Sequence, residues 1–230
     1  MRTQDLKAER LRHGWCQVEA ARRLGLSQPY LNMLEKGKRR LTPTLARKVV
    51  VTYGLPPTEL PVPETFGPDK KVDSQRLVEY LAGLDYPGFA YVRPSTESKY
   101  PGEVLLTALA QDSLEGRVAE ALPWLLLRHW KTDYDWLVEK AKRFDLQNRL
   151  GFVVGLAYQL SQRTAEADRT NALSNLRATL DRSRLAHEDF FPRPPRNDAE
   201  REWLIENRPE EAGHWNLLSD LRPEHLQYAS

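Results

Sequence analysis

Apolar and polar positions alternate with a helical period along most of this chain, broken by short clusters of Gly, Pro and capping residues. Leu6 and Leu11 stand among charges in residues 3–13, which predicts a first amphipathic helix. Val18, Ala21 and Leu24 recur every third residue in 17–24 and share one helix face, with Arg22 and Arg23 on the other. Gly25 offers the left-handed backbone that ends such a helix, and Ser27 is a good N-cap for the next one. Pro29 falls in its first turn, where a missing N–H matters least. Within 27–37, Leu31 and Leu34 point inward and Gly37 stops the run. Helices this short gain little from propensity, so packing must hold the pair, and the second keeps a free polar face. Thr42-Pro43 opens a further helix over 42–52 with Leu45, Val49 and Thr52 in its stripe, and 55–60 form a terminal turn or helix.

Residues 61–74, PVPETFGPDKKVDS, are rich in Pro, Gly and charge and show no period, the mark of a linker. Beyond them, helical segments are expected over 74–83, 102–112, 114–129, 133–144, 148–162, 165–187 and 198–207. FAYV, within the loop 85–102, is compatible with a short strand. Pro123 should kink its helix. NRLGFVVGLAYQL (148–160) is apolar on nearly every side and reads as the central buried helix. Gly151 and Gly155 within it should let a neighbouring helix approach closely. HEDFFPRPPRND (187–198) separates the last long helix from an acidic tail. The expected fold class is all-α: a five-helix domain over 1–62, a linker over 63–75 and a larger helical domain over 76–230.

Charge sharpens this division. The 230 residues carry a net charge of only +2. The first sixty, however, hold twelve Lys and Arg against five Asp and Glu, a net of +7, and the remainder a net of −5. A basic module joined to an acidic one is expected where only one end meets nucleic acid. The single cysteine, Cys16, excludes an internal disulfide and a multi-cysteine metal site. No apolar run is long enough to span a membrane, and the first residues lack the apolar segment of a signal peptide. The expectation is a cytoplasmic protein without membrane contact.

The stretch 3–61 resembles the helix-turn-helix of Cro and phage repressors, the xenobiotic-response-element (XRE) family. The residues that carry the likeness are Gln17, Ala21, Leu24-Gly25, Ser27-Gln28, Leu31, Leu34-Glu35 and Gly37, then Pro43, Leu45, Ala46, Val49, Gly54-Leu55 and Leu60. Ala20 departs from it, since a larger aliphatic residue is common there; Trp15 is a candidate to fill the space. The resemblance implies that 27–37 is a recognition helix entering the major groove of double-stranded DNA. Gln28 and Asn32 have the paired donor and acceptor that match adenine, and Pro29 and Met33 can touch thymine methyls. By the same resemblance Gln17 bonds a phosphate. Ser27, Tyr30, Lys36, Lys38, Arg39 and Arg40 complete the backbone-contacting set, the electrostatic part of binding. Arg10 and Glu35 correspond to the family's structural ion pair. The alternatives are that Gln28 and Asn32 are ordinary exposed polar residues and that 38–40 is a solvated turn.

The second half offers less chemistry. His187 and His214 have no second histidine at metal-ligand spacing, GFVVG lacks the Lys-Ser/Thr of a phosphate loop, and Asp133 and Asp135 read as helix-start residues. Neither cofactor nor catalysis is expected. Self-cleavage at Ala82-Gly83, as in some phage repressors, is disfavoured because those use a β-rich second domain. The runs ALPWLLLRHW, DLQNRLGFVVGLA and PEEAGHWNLL look similar to antitoxins encoded beside AbiE-type nucleotidyltransferase toxins. That likeness implies an autoregulating repressor that counters a toxin. The alternative is an XRE-type repressor whose helical domain forms a homodimer or senses a small ligand. Either way, the expected DNA target is an inverted-repeat operator.

Overall fold

The computed structural model describes residues 3–67, 72–164 and 166–226, and the chain divides into two units, Met1–Pro63 and Glu64–Ser230. Residues 68–71 of the expected linker, Ala165 at the expected start of a helix, and the ends of both expected domains lie outside the described residues. Twelve α-helices and a single pair of two-residue strands make up the regular structure of the described residues, apart from three short 3-10 turns, so the chain is all-α.

Unit 1 contains α1 (Thr3–Arg12), α2 (Gln17–Leu24), α3 (Gln28–Glu35) and α4 (Pro43–Tyr53), followed by a 3-10 turn at Pro57–Glu59 in place of a fifth α-helix. Local chemistry sets the boundaries. Gly25, at φ 63°, closes α2, and Leu26 N–H returns to the Ala21 carbonyl at 2.8 Å. Ser27 Oγ accepts from Tyr30 N–H to open α3, and Thr42 Oγ1 accepts from Leu45 N–H to open α4. Leu6, Ala20, Ala21, Leu24, Leu31, Leu34, Val49 and Tyr53 form the core.

Two inward positions differ from expectation. Val18 is 66% exposed and Leu11 57%, while Ala20 and Arg10 are buried instead. The inner face of α2 therefore runs through 20, 21 and 24, where small side chains let α2 pack closely. Arg10 turns inward because it has a buried carboxylate to meet. Trp15 packs at the edge of the cluster that holds Ala20, stacked on His13 at 4.5 Å between ring centres.

Unit 2 is built around α9 (Gln147–Ser161), in which thirteen of fifteen residues are buried. Around it lie α5 (Ser74–Gly83), α6 (Pro101–Leu109), α7 (Gly116–Arg128), α8 (Tyr134–Arg143) and α10 (Ala167–Asp181), then α11 (Asp198–Asn207) and α12 (Glu210–His214). The helix expected over 165–187 ends at Asp181. α7 continues through Pro123, which is buried within it. The FAYV segment forms no strand: Pro87–Phe89 is a 3-10 turn that buries Phe89 and leaves Tyr91 exposed. The strands are β1 (Asp189–Phe190) and β2 (Leu217–Leu218), paired in parallel.

The C-terminal acidic segment is part of the core. Trp215 and Leu217 are fully buried. Gly155 lets the neighbouring helix α12 approach through Glu211, and Gly151 admits the Trp215 side chain that follows α12. A methyl group at Gly151 would overlap the Trp215 indole, and one at Gly155 would overlap the Glu211 carboxylate. Glu211 is held there by Trp215 Nε1 at 2.9 Å, by the Arg177 guanidinium at 3.0 and 3.1 Å and by Gln159 at 3.2 Å. At the other end of α9, buried Arg149 donates to Asp189 and to the carbonyls of Leu109 and Gln111, tying β1 to the α6 terminus.

These notches predict a local sensitivity. Trp215→Ala should destabilise unit 2 by about 3–5 kcal/mol, the range for losing a large buried aromatic, and Gly155→Leu should do so as well. Native-state amide exchange should show faster opening throughout α9 and α10, with protection in unit 1 unchanged.

Candidate nucleic-acid interface

Short helices place a polar side chain well only if their ends are fixed, and in unit 1 a buried ion pair fixes them. Arg10 Nε donates to Glu35 Oε1 at 2.6 Å and Arg10 Nη2 to Oε2 at 3.2 Å, with side-chain exposures of 7% and 2%. Arg10 Nη1 also donates to the Trp15 carbonyl at 2.8 Å, which secures the chain between α1 and α2. Burial pushes the Glu35 carboxyl up, but the hydrogen bonds from Arg10 and Gln17 and the Arg10 charge outweigh it, so it lies below its ordinary value. Arg10 is held above its own ordinary value by the Glu35 hydrogen bond. Burial and the Glu35 charge together raise the Tyr53 hydroxyl to about 12.

The network continues outward. Gln17 Nε2 donates to Glu35 Oε2 at 2.9 Å, and Gln28 Nε2 donates to Gln17 Oε1 at 2.7 Å. A chain of four side chains thus links the interior to the first residue of α3. It leaves Gln28 with its Oε1 and one N–H, and Gln17 with one N–H, since each amide nitrogen carries two hydrogens.

Of the other sequence-derived base readers, Pro29 is exposed, and Asn32 and Met33 are half-buried on α3. Asn32 lies one turn beyond Gln28 and so shares its face. Ser27, Lys36, Lys38, Arg39 and Arg40 are exposed, and the four cations make no ion pair among the described residues. Ser27 keeps its hydroxyl hydrogen free while it caps α3. Tyr30 is half-buried and packs against the core cluster, which commits its ring to structure. Gln17 sits on α2 yet meets Gln28, so the structure brings these two together, while the basic run follows the far end of α3.

Sequence reasoning missed a further arrangement. Arg23 lies over the Trp15 ring at 4.2 Å while pairing with Glu19 at 2.8 Å, so this α2 cation is already engaged. The spacing of Glu19 and Arg23, four apart on a helix, signals their pairing; nothing local signals the tryptophan.

Residues 6–60 match the helix-turn-helix family model. No curated protein and no solved structure matches the chain. The family match supports a DNA-binding transcription regulator of XRE type for the N-terminal part of the chain. No helix among the described residues is long and apolar enough to cross a membrane.

The buried pair sets a pH dependence. The folded carboxyl of Glu35 is depressed, so its contribution to stability is complete above its ordinary value of 4.5 and is lost as pH falls through the lower folded value. Glu35→Gln leaves Arg10 buried without a counter-charge and should destabilise unit 1 by about 3–5 kcal/mol. Amide exchange in α1–α3 should show that loss at neutral pH, and the variant's remaining stability should fall less steeply than the wild type's in acid.

Proposed function

We propose that this chain is a sequence-specific, DNA-binding transcriptional repressor that acts in the cytoplasm and is not an enzyme. The observation that carries the reading is the Arg10–Glu35–Gln17–Gln28 chain, which ends in an amide held at the start of α3. With one N–H given to Gln17, the Gln28 amide retains the acceptor and donor needed for N6 and N7 of adenine. Asn32 offers the same pair a turn further on, and Pro29 and Met33 add apolar contacts to thymine methyls. Gln17 keeps one N–H for a phosphate. Lys36, Lys38, Arg39 and Arg40, with Ser27 and to a lesser extent Tyr30, neutralise or hydrogen-bond the backbone and supply the salt-dependent share of affinity. One such module reads a half-site, so the operator is an inverted repeat bound by two chains as a homodimer.

For unit 2 the reading is that of an autoregulating antitoxin. It rests on the likeness of three sequence runs, and no comparison supports it. Those runs fall largely in α7, in α9 and in the α12–β2 segment, where most of their apolar residues are buried. They thus describe how a core is filled more than what a surface binds. Rescue of a co-expressed nucleotidyltransferase toxin would be its direct test.

Direct readout and phosphate contact separate by mutation. Gln28→Ala and Asn32→Ala should each cost about 1–3 kcal/mol on the selected operator, with nonspecific binding nearly unchanged. Arg39→Ala should weaken binding to all sequences alike and flatten the salt slope by about one unit. Mobility shifts across a salt series measure both. Full sequence preference in the two amide variants would refute the assignment of α3 as reader.

A further inference from the structure

Unit 2 contains a cleft of about 440 Å3 between α5, α6, residues 65–67 and residues 72–73, a volume within the range of small-molecule sites. Three donors converge in it on one carboxylate. Lys99 Nζ lies 2.9 Å from Glu97 Oε1, and Arg76 Nη2 lies 3.6 Å from Oε2. The Tyr80 hydroxyl donates to the same Oε2 at 3.4 Å and accepts from Arg76 Nε at 2.8 Å. Both cations also lie 5.6 Å from the centre of the Tyr80 ring. The half-buried Phe66 and Val72 give the cleft an apolar edge, over the buried Val104.

The members of this cluster are not held equally. Lys99 is also paired with Glu103 at 2.9 Å, and both of those side chains are largely shielded; Glu103 and Asp73 line the same cleft, so its two cations already face three carboxylates. Glu97 is 52% exposed and sits on the irregular segment between residues 91 and 100, held by Lys99 at 2.9 Å and more loosely by Tyr80 and Arg76 at 3.4 and 3.6 Å. Turning Glu97 outward breaks its bonds to the shielded Lys99 and to Tyr80 and an exposed contact with Arg76 of small value, and an arriving carboxylate remakes them. It leaves Arg76, Lys99 and the Tyr80 hydroxyl aimed at the position it vacates. An incoming carboxylate restores the local charge count, since one anion replaces another, and it suits the planar fork of the guanidinium.

We infer that this cleft binds a small carboxylic acid with an apolar or aromatic body. Its carboxylate takes the place of Glu97 against Arg76, Lys99 and Tyr80, and its body lies on Phe66 and Val72. The site belongs wholly to unit 2 and does not depend on the DNA-binding reading of unit 1.

Titration calorimetry on the full chain tests this with phenylacetate and hexanoate as probes. At least one should bind saturably, while benzylamine and benzyl alcohol, which lack the anion, should not. Glu97→Gln removes the internal competitor and should tighten binding about tenfold, as when a closed form populated roughly nine-tenths of the time is opened. Arg76→Gln, on an exposed position of α5, should abolish binding with an unchanged circular dichroism spectrum. Absence of binding to both the wild type and Glu97→Gln would overturn the proposal. So would unchanged or weaker affinity in Glu97→Gln, equal affinity for benzylamine, or undiminished binding in a folded Arg76→Gln. Inorganic phosphate binding as tightly as phenylacetate would show a bare oxyanion site and overturn the carboxylic-acid assignment.

Discussion

A guanidinium and a carboxylate, buried together at 2.6 Å, determine how the surface of unit 1 is presented. Burying two charges costs several kcal/mol per ion, and a hydrophobic pair of similar size is often no less stable. What a hydrophobic pair would lack is direction. Glu35 has a second oxygen, which receives Gln17, whose own oxygen receives Gln28. The charge inside thus becomes an orientation outside. Two eight-residue helices cannot supply that orientation by themselves, because helices this short are marginal without tertiary contacts.

Unit 2 spends its buried polar groups differently. Arg149 and Glu211 each gather several partners, most of them from far along the chain: Asp189 and the C-terminal end of α6 for Arg149, α9 and α10 for Glu211, which also meets the nearby Trp215. Each carries a charge that burial would make costly if left alone, so each polar cluster locks distant segments together. The two glycines of α9 make room for the second cluster. Its members face inward and bind one another, whereas in unit 1 the network ends on an amide that still has bonds to give.

Much of the architecture was legible in the sequence because it is written locally. Gly25 adopts the positive φ that its position suggested, Gly37 stops α3 with a positive φ of its own, and Ser27 and Thr42 cap the helices they precede. The central helix was visible in its all-round apolarity. What escaped were decisions made at long range. Val18 yields the inner face of α2 to Ala20 because close helix packing outweighs side-chain hydrophobicity there. Leu11 lies outside because Arg10 meets Glu35, a pair that the resemblance implied but whose effect on Leu11 the periodicity did not show. That Trp215 fills the notch at Gly151 joins positions more than sixty residues apart, and no local pattern encodes it. The same holds for the candidate interface: residue types on α3 pointed to base and phosphate contacts, but the bond between Gln17 and Gln28 depends on how α2 and α3 cross.

The most direct measurement is selection of duplexes from a random DNA pool by the full chain, followed by footprinting of the enriched site. The account predicts an inverted repeat whose half-site centres lie about 34 Å, or one helical turn, apart or a multiple of it. It also predicts an A·T pair in each half-site whose enrichment disappears in Gln28→Ala. Enrichment of no sequence at all, or of the same sequence with the same strength by a chain lacking residues 1–63, would contradict it.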